Sequence, residues 1–170
     1  SFTNKIDSEK IILEYLFKPG FRILTTGQRL LKKEVIDLDT IYQDPQYRYF
    51  QYSKGKSVTI VCFNHALEYG FEFKKNILAM NGNASLFSVN SHLNADFNHL
   101  FNDINITRKL IVIDDSKSRN RLSERFFADA AKNCNLEIKK YIVPEICKKM
   151  YYPNEDSLKI NYSRHLKEIL

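Results

Sequence analysis

The stretch KLIVIDD, residues 109–115, sets four apolar residues in a row before two aspartates. A run of strand length without polar alternation is buried on both faces, which is the condition of a strand in a parallel sheet covered by helices on each side. SVTIVCF (57–63) is a second β-branched run, and ASLFSV (84–89) and LEIKKYIV (136–143) read as two more strands. Between them lie segments with apolar residues near helical spacing: HALEYGFEFKKNILAM (65–80), NADFNHLFNDI (94–104) with Asn94 as a cap, and SERFFADAAKN (123–133) with Ser123 as a cap. Strands alternating with helices of this length imply right-handed βαβ crossovers. The expected class is α/β, a three-layer αβα architecture around a mostly parallel five-stranded sheet. YRYFQYSK (47–54) supplies the fifth strand, leading through a tight turn at Gly55 into SVTIVCF and antiparallel at an edge.

The first forty-five residues differ in kind. SEKIILEYLF reads as a helix stopped at Pro19-Gly20, FRILTTG as a lone strand, and KKEVIDLDTIYQDPQ as an extended linker. We divide the chain into an arm over residues 1–45, the tail of a preceding domain plus linker, and an α/β domain over 46–170. The helix carries Ile11, Ile12, Leu13, Leu16 and Phe17. An arm with those apolar groups is expected to fold back over its own domain or, preferentially, to join a second copy.

The 44% hydrophobic and 27% charged composition suits a soluble globular protein, and no window approaches the eighteen or so apolar residues of a membrane span. The opening SFTNKIDSEK lacks a signal-peptide layout, and its first residue, Ser rather than Met, suggests a piece of a longer chain; the expected compartment is the cytoplasm. Cys62, Cys134 and Cys147 show no C-x-x-C spacing and are expected to be reduced thiols. The net charge of +6 permits weak attraction to phosphates or to an acidic partner without requiring either.

Ligands of open parallel sheets gather at the carboxyl ends of strands, which draws attention to Asp114-Asp115-Ser116. Lys117, Arg119 and Arg121 beside a helix start would suit a phosphate or carboxylate. Yet SKSRNR (116–121) has no Gly-rich turn, so neither a P-loop nor a dinucleotide fingerprint is present. The adjacent aspartates point to opposite sides of a strand end, which disfavours a shared metal ion and leaves capping and surface roles. His65, His92, His99 and His165 show no metal spacing, and only His65, just past SVTIVCF, is placed to touch a ligand. Tyr42, Tyr47, Tyr49, Phe50 and Tyr52, interleaved with Arg48, Lys54 and Lys56, could stack on single-stranded nucleic acid; packing or subunit contact is the preferred reading, and no nucleic acid is expected.

In order, KSVTIVCFNHALEYGFEFKKNIL, ASLFSVNSHLNADF and KLIVIDDSKSRNRLSERFFADAA, followed by the proline-containing tail from Leu136, resemble the C-terminal domain of the transketolase family. The likeness is greatest to the beta subunit of 2-oxoacid dehydrogenases and to two-subunit transketolases. ILEYLFKPGFRILTTGQ is similar to the helix and last strand of that family's preceding, pyrimidine-binding domain. Ser116, Ser118 and Asn120 stand where the family usually has glycines. The resemblance implies a domain for subunit assembly that borders the active-site entrance, inactive by itself, in a homodimer or with a partner subunit. It implies thiamine diphosphate and magnesium in the parent enzyme, held by domains other than this one, and no catalytic, cofactor or metal residues here. A free-standing anion- or partner-binding module, using His65, Lys117, Arg119 and Arg121, is the alternative.

Overall fold

A computed structural model describes residues 2–21, 23–25, 38–91, 95–116, 120–143 and 160–169. The four apolar runs form the parallel strands β3 (Val58–Phe63), β4 (Ala84–Val89), β5 (Lys109–Asp114) and β6 (Ile138–Ile142), with β1 (Tyr42–Gln43) and β2 (Tyr49–Ser53) before them. The helices are α1 (Lys5–Tyr15), α2 (Leu67–Ala79), α3 (Asn98–Thr107), α4 (Leu122–Asn133) and α5 (Tyr162–Ile169). Sheet order is β1-β2-β4-β3-β5-β6, parallel from β4 to β6 and antiparallel at the β1-β2 edge. The expected three-layer α/β architecture is present, its five strands extended by the two-residue β1.

Why β3 and β5 read as unbroken apolar runs is visible in the two cores. Ile60 and Cys62 of β3 and Ile111 and Ile113 of β5 face Leu67, Phe73 and Ile77 of α2, together with Leu166 and Ile169 of α5. The intervening Val61, Phe63, Leu110 and Val112 face Leu100 and Ile104 of α3 and Phe126 and Ala130 of α4. Each successive side chain therefore enters a different apolar layer. Helix α2 lies close to the sheet because residue 70 is glycine: a Cβ there would come within 2.2 Å of Cys62 Sγ. Cys62 and Cys134 are unbridged and buried, and burial pushes both thiols up; Cys147 lies outside the described residues. No helix among the described residues is long and apolar enough to cross a membrane.

Several local expectations shift. Strand β2 is antiparallel as anticipated, but it lies between β1, which forms the edge, and β4, and does not pair with β3. Gly55 is thus no hairpin turn: its N–H donates to Ser85 Oγ at 2.9 Å, and a Cβ would lie 2.4 Å from Ala84 N. The chain crosses the start of β4 at a distance only glycine allows. Helix α3 begins at Asn98 with no side-chain cap on Phe97, and Asn94 lies outside the described residues. Tyr49, Phe50 and Tyr52 are buried, so the aromatic stripe packs within the domain. Phe21, Ile23, Leu24 and Thr25 are outside any strand; the expected strand also covers Arg22, Thr26 and Gly27, which lie outside the described residues.

Helix α1 starts three residues earlier than its apolar pattern suggests. A capping box sets the start: Asn4 Oδ1 accepts from Asp7 N and Asp7 Oδ1 accepts from Asn4 N, each at 3.0 Å. The helix ends at Tyr15, ahead of Pro19, and docks on its own sheet. Ile11 of the helix is buried, whereas Leu13 and, just past the helix, Leu16 and Phe17 are exposed. The docking is largely polar. Asp7, fully buried, accepts from Asn90 Nδ2 (2.7 Å), from Thr3 N (3.2 Å) and from the Thr3 hydroxyl, and Tyr52 OH lies 3.3 Å away. Tyr52 OH also accepts from Asn4 Nδ2 (3.0 Å) and bonds Ser88 Oγ (2.9 Å).

Candidate functional site

From β3 the chain crosses by α2 to β4 on one side, whereas β5 lies on the other side of β3. The loops after β3 and β5 therefore leave in opposite directions, and such a switch point opens a crevice at the strands' carboxyl ends. The structure has a cavity of about 220 Å³ there, walled by the ends of β3, β4 and β5, by the start of α4 and by Thr25 of the arm.

Asp114, at the last position of β5, lines the crevice and is 1% exposed. Asp114 Oδ1 accepts from Asn64 Nδ2 at 2.6 Å and from Ser116 N at 2.8 Å, and Oδ2 accepts from the Ser123 hydroxyl. Ser123 Oγ in turn lies 2.8 Å from Tyr141 OH on β6, and burial raises the Tyr141 phenol. One carboxylate thus ties together the β3 loop, its own loop, α4 and the neighbouring strand. Neutral donors and a backbone N–H satisfy it, as a buried carboxylate requires.

Two expectations are corrected by this arrangement. Ser123 does not cap α4: Arg121 is the N-cap residue, and the Ser123 hydroxyl, one residue into the helix, is drawn to the buried carboxylate. Asp114 has neither a capping nor a surface role. Asp115 takes the other side of the strand end, as alternation predicts, and its Oδ1 accepts from His65 N at 3.1 Å. The β3 and β5 loops are consequently stapled twice, by Asn64 to Asp114 and by His65 to Asp115. Asn64 adopts a left-handed backbone, φ 56°, which asparagine tolerates better than other side chains with a Cβ.

Of the four residues singled out for ligand contact, Arg121 lines the crevice and is 9% exposed. Its Nε donates to Ser116 O at 3.1 Å, and Nη1 lies 3.4 Å from Glu124 Oε1. His65 does not line the crevice. Its Nδ1–H donates to Phe2 O at 3.1 Å and so holds the start of the arm. Lys117 and Arg119 lie outside the described residues, as does His92. His99 bonds Gln51 Oε1 at 2.9 Å and stacks on Tyr42 with ring centroids 3.7 Å apart. His165 packs near Phe73. No three His, Cys, Asp or Glu side chains come together as a metal site among the described residues.

Sequence reasoning passed over Asn64 and Asn90, which line the crevice with Asn120. For Asn64 a signal was available, since an asparagine directly after a buried strand favours a left-handed turn. Asn90 has no local signal, because its partner Asp7 is 83 residues away.

No protein-family model and no curated protein matches this sequence. Solved structures do match. A split-gene transketolase in the form of an inactive beta4 tetramer is similar with a TM-score of 0.53 and 19% identity, over 66% of this chain and 37% of that chain. The fold is that of a transketolase C-terminal domain. A transketolase from Campylobacter jejuni subsp. jejuni aligns with a TM-score of 0.42 and 10% identity, over 61% of this chain and 15% of that chain. The matched part of this chain thus spans little more than a third of the split-gene transketolase chain.

Proposed function

We propose that this chain is the C-terminal domain of a thiamine-diphosphate-dependent enzyme of the transketolase or 2-oxoacid dehydrogenase type, with an arm over residues 1–45 continuing from a preceding domain. In this reading it works in the cytoplasm, serves subunit assembly, as a homodimer or with a partner subunit, and frames the active-site entrance. The observation that carries the reading is the likeness in fold to the split-gene transketolase, over two thirds of this chain. That relative is itself described as an inactive tetramer of beta chains, which supports an assembly role without catalysis by the single chain.

The crevice residues do not fit thiamine diphosphate and magnesium. Among the described lining residues Arg121 is the one cation, and the buried Asp114 carboxylate opposes a second negative charge. Asn64 brings a side chain to the crevice wall where a diphosphate would need small residues and close backbone N–H groups. We therefore assign the cofactor to other domains of the parent enzyme. Titration calorimetry with thiamine diphosphate and magnesium tests this: the chain alone is expected to show no saturable heat, and micromolar binding would overturn the reading.

A further inference from the structure

The end of helix α2 places a labile dipeptide in a fixed geometry. Met80 is the C-cap residue, and Asn81 follows it with a left-handed backbone, φ 60°. Asn81 N donates to Leu78 O and Gly82 N donates to Ile77 O, each at 3.0 Å. These are the two bonds of a Schellman closure, whose left-handed residue is most often glycine and sometimes asparagine. The position after it must be small: a Cβ at residue 82 would lie 2.8 Å from Cγ2 of the buried Ile77. The closure of α2 thus suits Asn-Gly, and Asn81 is the only asparagine of the chain that precedes a glycine.

The pair is chemically reactive for the same reason that it fits here. With no side chain on the second residue, its backbone nitrogen can reach the carboxamide of the first. The Gly82 nitrogen attacks Asn81 Cγ, the new C–N bond forms, the Cγ–Nδ2 bond breaks, and Nδ2 leaves as ammonia with the proton that Gly82 gives up. Water then opens the succinimide ring at either carbonyl and leaves aspartate or isoaspartate. Asn81 is exposed, so water reaches its carboxamide. The nucleophile, however, is the same N–H that Ile77 O holds, and it cannot turn toward the side chain while that bond stands. The next residue is pinned from the other side: Asn83 N donates to Ser57 Oγ at 3.0 Å, Asn83 Oδ1 accepts from Lys56 N at 2.6 Å, and Asn83 O accepts from Ser57 N at 3.0 Å.

We propose that Asn81-Gly82 is a deamidation site gated by the closure of α2: the folded chain is modified there only when the Gly82–Ile77 bond opens, and the isoaspartate product prevents the closure from forming again. Isoaspartate adds a methylene to the backbone between residues held to Ile77 and to Ser57. Its carboxylate also stands at a helix C-terminus, where negative charge is unfavourable, and the last turn of α2 has no basic residue. The site lies at the amino ends of β3 and β4, away from the crevice, and does not depend on the assembly role proposed above.

The test incubates the whole chain in mildly alkaline buffer, folded or in guanidinium chloride, and follows residue 81 by peptide mass and by isoaspartate-specific methyl labelling. Asn81 is expected to convert before any other asparagine of the folded chain. Helix ends open at low free-energy cost, so conversion of the folded chain should be about tenfold to a hundredfold slower than in denaturant. Asn81→Gly keeps a residue suited to the left-handed backbone and should abolish the product in that peptide. Asn83→Ala removes the side-chain bond to Lys56 N and should speed conversion of the folded chain severalfold while leaving the rate in denaturant unchanged. The modified chain, separated by ion exchange, should show faster amide exchange in the last turn of α2. Another asparagine converting first, or no product at residue 81 within the time that a hundredfold slowing allows, would overturn the site. Equal rates with and without denaturant, or no acceleration in Asn83→Ala, would overturn the gate, and unchanged exchange in the modified chain would overturn the loss of closure.

Discussion

The two faces of the sheet and the arm at its end are held by opposite means. On the α3-α4 face, Phe63, Phe97, Phe101 and Phe126 meet ring to ring, with centroids 5.1–5.9 Å from that of Phe126. Helix α1 instead buries one apolar side chain, Ile11, and a carboxylate, Asp7, with its hydroxyl and amide donors. Apolar packing is additive and tolerant of small shifts, whereas a buried carboxylate is stable only while its donors are in place. The first arrangement makes a cooperative core. The second makes an attachment that is specific in position and can open without unfolding the sheet.

The largest effect that separates the two is expected from Phe126→Ala. Phe126 is 1% exposed and central to the aromatic cluster, and removing a buried phenylalanine costs about 3–5 kcal/mol. Urea denaturation should show a lower midpoint with an unchanged slope, and every element should melt together. If α4 alone were lost while α2 and the strands kept their exchange protection, the core would not be one cooperative unit.

Asp7→Ala should have a smaller and local effect. It leaves Asn90 Nδ2, Thr3 N and Asn4 N without their acceptor in a buried setting, worth about 1–3 kcal/mol for the group. Hydrogen exchange should speed in α1 while β3 and β5 stay protected. Equal loss in the strands would mean that the arm is part of the core, and the contrast drawn above would fall.

What could be read beforehand follows the same division. β3 and β5 were legible because a strand covered on both faces lacks the apolar-polar alternation of a half-exposed one, and that pattern is local. The α2 and α4 helices were legible from apolar spacing to within two residues at each end. Polar burial was not. Asp7 joins Asn90 across 83 residues, and Asp114 joins Asn64 across 50, and nothing in the flanking sequence distinguishes these groups from surface residues. Asn4-x-x-Asp7 does have capping-box spacing, and attention to it would have placed the start of α1 correctly. At the site, the strand-end location was legible from topology, and Arg121 lies in the crevice; the bond of His65 to Phe2 was not legible, because its place after the strand says nothing of the arm that its ring would meet.

The smallest expected effect concerns pH, and it sharpens the contrast by asking whether a polar contact on the periphery of the domain carries stability. Burial lowers the affinity of His99 for a proton, with the Asp103 carboxylate opposing that and Lys54 adding to it. His165 is shifted the same way, by burial foremost; Glu168 opposes the shift, while Lys140 and Arg164 favour it, and the His165 Nδ1 is buried with no hydrogen-bond partner among the described residues. A histidine whose folded-state value is depressed binds protons more readily once unfolded. The stabilisation is therefore full above the ordinary imidazole value of about 6.5 and is lost as pH falls through the lower folded value. Both side chains are partly exposed, so each effect should stay below about 1 kcal/mol. Denaturation midpoints should decline between neutral pH and the point where carboxylates begin to protonate. There a second decline sets in: burial works to raise the Asp44 carboxyl, but hydrogen bonds from Arg48 and Gln46 outweigh it and hold that group low. His99→Gln can keep a contact to Gln51 without a titrating ring and should flatten part of the first decline while leaving the second in place. A first decline of unchanged depth in His99→Gln would assign it to His165 or to other groups, and an unchanged midpoint across the imidazole range in the wild-type chain would show that neither peripheral ring contributes.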